Sequence, residues 1–482
     1  MTTEQLEREN KYDVPDDFVL PELSAVVPDG TVEVHTSQLE ATYFDTAAGH
    51  LHQHGITLRR RKGSHDAGWH LKLPAAAGRT EITVDASAGA PPRELSSLLL
   101  GIRRGERLVA QASLSTLRQS AVLRDGAGRS LAEVVDDTVH AVTLDDEASV
   151  TDWREVEVEL GRDVDEAVLA HVGDVVMGAG ATPAQSGSKY ARAMGQAPGH
   201  RRPDGLAGVV DDYLQAQYTA IAEGDLGLRR DTNVIHPTRV ALRRLRSTLR
   251  VFGVLFDSAE KERIELELAW YAGVLGAVRD VDVQRARLAE QVAALPDEYV
   301  FGPVAADLDA TLAAERADAW RRLRSAMDGK RYRALLSLLE LWRTDPPCTD
   351  AGDKKPQRVA SVVAGAEKQL RKRLRRAAEH ETDDELFHSA RKAAKRYRYA
   401  NELAEPVVGE QATAAIGETK QLQTLLGEHQ DSVVSAAILR RLGSGTEQSP
   451  AANGFTYGVL LGQQLQRSAE TRAGIVLTWR GR

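Results

Sequence analysis

The sequence predicts an α+β chain of two domains, strand-rich first and helical second. Three observations carry this. Residues 1–200 fall into short alternating segments bounded by Gly, Asp and Pro, such as Thr80–Asp85, Leu131–Val139 and Arg154–Leu160. Residues 201–482 fall into long Ala/Leu/Arg/Glu segments at helical spacing, such as Leu206–Ala222, Thr238–Phe256 and Glu260–Leu295. The charge also changes sign between them: 19 basic and 31 acidic residues in 1–200, net −12, against 43 and 39 in the rest, net +4.

The chain has 482 residues, more than the roughly 250–300 that one core sustains. Its 42% hydrophobic and 27% charged residues exclude a largely disordered chain. The Gly/Pro-rich stretch Gly195–Gly205 reads as a linker, giving domains at 1–195 and 206–482 with 196–205 between them. Thr344–Gln357 divides the helical part into repeats at about 206–343 and 357–482, and Gly443–Gly454 reads as an internal loop. A single cysteine, Cys348, excludes an intramolecular disulfide framework and a Cys-based zinc site, and fits a cytoplasmic chain. Met1–Asp17 is acidic and polar, unlike a secretory signal, and no apolar run nears the ~18 residues of a membrane span, so no membrane partner is expected. The overall charge of −8 argues against a polyanionic partner only until it is seen as the average of two unlike halves.

Along a strand, residues i, i+2 and i+4 share a face. Leu6–Lys11 groups Glu7, Glu9 and Lys11; Ile56–Arg61 groups Thr57, Arg59 and Arg61; Trp69–Leu73 groups His70 and Lys72; Arg79–Asp85 groups Arg79 and Glu81. Leu131–Asp137 groups Glu133 and Asp137, with Asp136 opposite; Arg154–Leu160 groups Glu155, Glu157 and Glu159, with Val156, Val158 and Leu160 opposite. A half-exposed sheet is the ordinary explanation of such faces. Here, however, carboxylates and cations are sorted onto different segments, and three glutamates on one face repel unless a cation joins them. A closed barrel with a charged interior resolves both: carboxylates hold a hard divalent cation, and basic groups hold a phosphate chain.

Glu7-Arg8-Glu9-Asn10-Lys11 resembles the E-x-E-x-K signature of the CYTH domain, the triphosphate tunnel metalloenzyme family. Leu58-Arg59-Arg60-Arg61 resembles its L-R-x-R strand and Trp69-His70-Leu71-Lys72 its W-x-L-K strand. Glu155-Val156-Glu157-Val158-Glu159 is similar to its late acidic strand and Ser188-Lys189-Tyr190 to its terminal S-K-Y. The five segments occur in family order. The resemblance implies an eight-stranded antiparallel β-barrel, a tunnel open at both ends with flanking helices, that binds a triphosphate and Mg²⁺ or Mn²⁺. It implies catalytic roles for Glu7, Glu9, Lys11 and Lys189, and metal-side roles for Glu7, Glu9 and two of Glu155, Glu157 and Glu159. Asp137 is a further metal-side candidate because it shares a face with Glu133. Lys11, Arg59, Arg61, Lys72, Arg118 and Lys189 would grip phosphates. A P-loop is excluded, because Gly187-Ser188-Lys189 lacks the required order. The His50-Leu51-His52-Gln53-His54 run reads as a solvated loop or strand end rather than a zinc site.

The helical half contains a repeat. His236 is followed by Arg239, Arg243 and Arg246, and His388 by Arg391, Lys395 and Arg398, at the same offsets of +3, +7 and +10. At about 100° per residue these form one stripe. Each histidine is expected where a helix starts. Leu275-Gly276 precedes Asp280, and Leu426-Gly427 precedes Asp431; Arg279 in the first copy is replaced by Gln430 in the second. The stripes have almost no acidic partner at i+3 or i+4, Glu402 excepted, and Lys368, Arg371, Lys372, Arg373, Arg375 and Arg376 add a dense basic cluster. Such a surface attracts polyanions. The paired motifs resemble the CHAD domain, the conserved histidine α-helical domain, over roughly residues 205–480. The resemblance implies a duplicated helical bundle that binds inorganic polyphosphate through the two stripes. With few aromatics near them, Tyr397 and Tyr399 chief among these, nucleic acid is the less expected partner.

These features point to a cytoplasmic enzyme that hydrolyses inorganic triphosphate, with polyphosphate granules as a place of association. The alternatives are a polyphosphate-binding protein without turnover, a thiamine triphosphatase, or an adenylate cyclase on the same barrel.

Overall fold

The computed structural model describes residues 2–62, 67–75, 77–85, 89–144, 148–195, 200–444 and 454–480. Residues 196–199 of the expected linker and 445–453 of the expected internal loop lie outside them. The chain forms two compact units, Met1–Gly199 and His200–Arg482.

The first unit is built on one antiparallel sheet of ten strands: β1 (Thr2–Glu7), β2 (Glu9–Asp13), β3 (Thr31–Asp45), β4 (Thr57–Lys62), β5 (Gly68–Ala75), β6 (Gly78–Asp85), β7 (Val109–Arg124), β8 (Ser130–Thr143), β9 (Val150–Leu160) and β10 (Thr182–Pro183). Their order in the sheet is β1-β6-β5-β4-β3-β7-β8-β9-β2-β10. This corrects the eight-stranded closed barrel. The hydrogen-bonded ladder runs from β1 to β10 without closing, and chain continuity brings its ends together instead.

The segment expected as one strand, Leu6–Lys11, breaks at Arg8. Glu7 pairs with Arg79 on one side of the sheet and Glu9 with Glu159 on the other. Because two residues span only about 7 Å, β1 and β2 hold opposite ends of the sheet together there. The Arg8 carbonyl accepts from the Leu160 amide at 2.9 Å, and its guanidinium turns away to the Val164 carbonyl at 3.1 Å.

Alternation decides what each face meets. On β9, Val156 and Val158 are fully buried against α3 (Glu166–Gly178), through Val172 and Val176, with Tyr12, Leu123 and Val134 from neighbouring strands. Glu155, Glu157 and Glu159 take the other face and turn inward. The His50–Gln53 run is neither a loop nor a strand end but a short helix, α1, that follows the buried Asp45. Asp45 satisfies its first turn by accepting from the amides of Leu51 and His52 at 2.8 and 2.9 Å. Helix α2 (Arg93–Leu98) lies between β6 and β7 in sequence, and α4 (Lys189–Met194) ends the unit.

The second unit is all helical: α5 (Gly205–Arg229), α6 (Ile235–Val251), α7 (Ser258–Ala293), α8 (Val304–Asp328), α9 (Lys330–Thr344), α10 (Val359–Glu379), α11 (Asp384–Val408), α12 (Glu410–Ser444) and α13 (Gly454–Arg480). In both halves each helix packs on the next, α5 to α8 and α10 to α13, while α6 packs on α11 across the halves. The two halves thus share one order of packing. Helix α6 tolerates Pro237 because first-turn amides have no intrahelical partner. Helix α11 begins at Asp384, capped by Asp383, so His388 lies a turn inside the helix rather than at its start. Residues 200–204 belong to this unit: Arg202 pairs with Asp212 at 2.7 Å, and the Arg201 amide reaches the Thr344 carbonyl at 3.3 Å. Among the described residues, no helix is long and apolar enough to cross a membrane.

The outer apolar face is what curls the sheet onto its helices. Val158→Ala is expected to lower stability by roughly 2–3 kcal/mol, because a fully buried branched side chain leaves a cavity. Urea unfolding of the full chain, followed by a probe in the first unit, checks this.

Candidate functional site

The inward faces of the strands enclose a cavity of about 630 Å³. Glu7, Glu9, Lys11, Arg59, Arg61, Lys72, Arg118, Glu157, Glu159 and Lys189 all line it, with Tyr43, Arg79, Glu81, His35 and Glu133 among the others. Beyond Lys189 the interior is filled by Tyr43, Leu114, Val139, Ala141, Trp153 and Tyr190, where α4 packs. The bore is therefore plugged at that end rather than open at both.

Lys189 enters the cavity because of its two neighbours. Ser188 caps α4 by accepting from the Ala191 amide at 3.1 Å. Tyr190 is buried, stacks on Tyr43 at 5.3 Å and donates to Asp45 at 3.3 Å. The ammonium between them reaches Asp137 at 2.9 Å, Glu155 at 2.7 Å and Glu157 at 2.9 Å. Arg118 holds Asp137 with two hydrogen bonds, 2.9 and 2.7 Å, and lies 3.4 Å from Glu157. Lys11 bridges Glu157 and Glu9, the latter at 3.2 Å.

Carboxylate oxygens of Glu9, Glu157 and Glu159 lie within 4.8 Å of one another. These are the three residues whose grouping suits a hard cation. Asp137 and Glu155 stand with Lys189 instead, and Glu155 also accepts from the Trp153 indole at 2.6 Å. Glu7 stands apart from the trio, 2.5 Å from Lys72 and hydrogen-bonded to Glu81. Asp136 faces outward to Arg154 at 2.6 Å.

In the helical unit, the stripes of α6 and α11 converge. Arg239 donates to Asp280 at 2.8 Å and packs against α7 where Gly276 leaves room: a Cβ there would sit 3.4 Å from its guanidinium. Arg391 approaches Gly427 of α12 in the same way, with Asp431 supplying the nearby carboxylate. His388 bonds Gln430 at 2.5 Å, where the first copy has Arg279 beside His236. Arg243 donates to the Tyr399 hydroxyl at 2.8 Å, and Arg398 pairs with Glu402 at 3.1 Å and lies over the Tyr399 ring. Arg246 faces a different set, Arg250 and Glu265. Burial, joined by the like charges of Arg391, Arg243 and Arg239, lowers the Lys395 ammonium to about 6, with Asp431 opposing.

A CYTH domain family model matches residues 5–192, and a CHAD domain family model matches residues 212–440. The uncharacterized protein MT2285 of Mycobacterium tuberculosis is 33% identical over 97% of this chain and 94% of its own length. The chain belongs to the CYTH and CHAD domain families. Among solved structures, PptA from Streptomyces chartreusis is 21% identical over 57% of this chain and all of its own, with a TM-score of 0.48. The CHAD domain from the plant Ricinus communis is 26% identical over 58% and 97%, with a TM-score of 0.47.

Sequence reasoning left Glu81, His70, Arg79 and Tyr43 out of the CYTH site. Glu81 lies 3.1 Å from the His70 ring and 3.6 Å from Arg59, and Arg59 also reaches the Tyr43 hydroxyl at 3.5 Å. The signal was present for Glu81 and Arg79, which share the inward face of β6. No strand motif marks Tyr43.

Burial works to raise the carboxyls of Glu7, Glu9, Glu81, Glu157 and Glu159, and local cations decide which escape. Glu157 is held well below the usual range by Lys11, Lys189 and Arg118 despite its burial. Glu9 is lowered by Lys11 and Lys72 against the same burial. Glu159 stays raised, because burial is joined by the negative charges of Glu157 and Glu9. Burial lifts Glu7 to about 7, opposed by Lys72 and reinforced by Glu81. Glu81, though buried, is pulled down by the His70 hydrogen bond and the charges of Lys72 and Arg59.

Folded Glu7 thus binds its proton more tightly than the unfolded residue. Its contribution to stability is present below about 4.5 and is lost as pH rises through about 7. Glu7→Gln removes that loss. In metal-free protein the variant is expected to match wild type near pH 4.5 and exceed it by on the order of 3 kcal/mol at pH 8. Unfolding curves across that range, with chelator present, check the crossover.

Proposed function

We propose that the chain is a metal-dependent inorganic triphosphatase whose CHAD unit binds inorganic polyphosphate. The carrying observation is one cavity in which six cations, Lys11, Arg59, Arg61, Lys72, Arg118 and Lys189, surround a carboxylate trio, Glu9, Glu157 and Glu159. The trio fits a divalent cation: it offers only oxygen donors, and Glu159 is under-compensated in its absence. When bound, Mg²⁺ or Mn²⁺ would supply charge neutralisation and polarise a phosphoryl oxygen or a water.

The chain's own residues do the rest. The Arg and Lys side chains screen the negative charge of a triphosphate, which otherwise repels any anionic attacker. Arg59, backed by Glu81 and Tyr43, and Arg118, backed by Asp137, present pre-oriented guanidiniums, so little order is lost on binding. The plug of Tyr43, Trp153 and Tyr190 excludes water from the Lys189 end. A phosphate arriving there would exchange for the carboxylates that now hold Lys189 and Lys11.

Inorganic polyphosphate suits the CHAD stripes better than nucleic acid. Tyr399 is buried beneath Arg243, Arg244 and Arg398, so its ring is not open to a base.

With tripolyphosphate and Mg²⁺ or Mn²⁺, wild type is expected to release phosphate, and Glu9→Gln and Glu159→Gln to lose at least about 100-fold of that rate. Equal rates in all three would remove the proposed site. Binding of tripolyphosphate without turnover would support a binding protein instead, and preference for thiamine triphosphate or cyclisation of ATP an organic substrate.

Lys395 makes polyphosphate binding pH-dependent. Its ammonium is largely neutral at pH 7.5 in the free protein, and a phosphate chain beside it favours the charged form. Affinity for long polyphosphate is expected to fall by up to about tenfold per pH unit above pH 6. Lys395→Arg should flatten that slope. Titration calorimetry at fixed ionic strength, in buffers of differing ionisation enthalpy, measures the proton uptake directly.

A further inference from the structure

The two halves of the CHAD unit differ most in their first helices. Both α5 and α10 precede a stripe helix and pack against it. Helix α5 carries Asp211, Asp212, Glu223 and Asp225, with Arg229 as its one basic residue. Helix α10 carries Lys368, Arg371, Lys372, Arg373, Arg375 and Arg376 against Glu367 and Glu379. Arg371 is paired with Glu367 at 2.7 Å. Lys368, Lys372, Arg375 and Arg376 are exposed, form no ion pair among the described residues, and fall on one helical face at i, i+4, i+7 and i+8.

Taken alone, that face is an ordinary solvated one. Its inner neighbour is not. Arg373, partly buried, lies within electrostatic reach of Arg396 of α11, as do Arg246 and Arg250 of α6. Glu265 is the carboxylate that opposes this repulsion at Arg246 and Arg396, and Arg250 already holds it at 3.3 Å. Arg246, Arg373 and Arg396 form no ion pair among the described residues, and the Arg246 Nε is buried without a hydrogen-bond partner. Like charges assembled from three helices, with Arg246, Arg373 and Arg396 partly buried and Arg250 exposed, leave an anion's place in the fold. The lowering of Arg246 and Arg396, by burial first and then by neighbouring guanidiniums, agrees with this.

We propose that a phosphate chain held by the central stripes continues through the Arg246–Arg250–Arg373–Arg396 cluster and leaves along the exposed face of α10. The acidic α5 closes the equivalent route in the other half. The path rests on the reading of the CHAD unit as a polyphosphate binder, and adds to it a direction and a dependence on chain length.

The test uses the full chain with polyphosphate of about 10 and about 100 phosphates, across a salt series, with single-stranded DNA of equal charge as comparison. The variants are Lys372→Glu/Arg375→Glu/Arg376→Glu on the exposed face, Arg373→Gln in the cluster, and Arg243→Glu in the central stripe. The tunnel is the same in all of them, so differences report on the helices. The α10 triple variant is expected to weaken the long chain at least about tenfold and to flatten its salt dependence by about two units of log–log slope, with the short chain within about twofold. Arg373→Gln should move the long chain in the same direction, and Arg243→Glu should weaken both lengths. Equal losses for short and long chains in the α10 variants, or none for the long chain, would overturn the exit path while leaving polyphosphate binding intact. An equal loss for DNA would overturn its assignment to polyphosphate. Failure of wild type to bind either length would remove the underlying reading and the path with it.

Discussion

The governing constraint is the compensation of charge that has been taken out of water. Glu157 is the clearest case. It is buried and touches three cations, Lys11, Lys189 and Arg118. Removing a carboxylate from water costs several kcal/mol, and the cost is met only when partners come close with good geometry. That requirement explains the S-K-Y anchoring of α4, which brings Lys189 to the network. It also explains the split of β1 and β2 at Arg8, which brings Glu9 and Lys11 against β9. The sheet curls because its charged face must find counter-charges while its apolar face packs on helices.

The same constraint runs in the opposite direction in the helical unit. There the cations outnumber their partners. Asp280 serves Arg239, and Glu402 is shared by Arg398 and Arg244, but Lys395 and Arg246 have no carboxylate in contact among the described residues. In the CYTH cavity carboxylates and cations are paired with one another, Glu159 least completely. On the helices Lys395 and Arg246 stand without such partners among the described residues. In both halves a stripe arginine lies on the neighbouring helix over a glycine, Arg239 over Gly276 and Arg391 over Gly427.

Much of this is legible in the residues alone. Period-two alternation puts Glu155, Glu157 and Glu159 on one face of β9 and Val156 and Val158 on the other, and the faces meet charge and core respectively. The matched offsets in α6 and α11 expose the duplication. The partner of each group is not legible in the same way. Asp137 and Glu155 share faces with Glu133 and Glu157, yet pair with Lys189 outside the cavity lining, because the register of β8 and β9 sets them opposite each other. Tyr43 carries no motif, and His70 occupies the variable position of the W-x-L-K segment, so that only its pairing with Glu81 on the next strand marks it.

By itself, then, the sequence determined the division into a strand half and a helical half, the face each charged residue takes, and the family to which each half belongs. The division and the faces are consequences of local geometry, the two-residue period of a strand and the 3.6-residue period of a helix, and the families follow from the resemblance of the motifs. Only the tertiary structure decided that the ladder stays open and is closed by the chain at Arg8, that α4 plugs one end of the bore, that Glu9 joins Glu157 and Glu159, and that Arg246 of α6 comes near Arg396 of α11. The physical reason is that these depend on pairings between residues remote in sequence, such as Lys11 with Glu157 and Glu9 with Glu159. Electrostatic energy falls off with distance in space and is indifferent to distance along the chain.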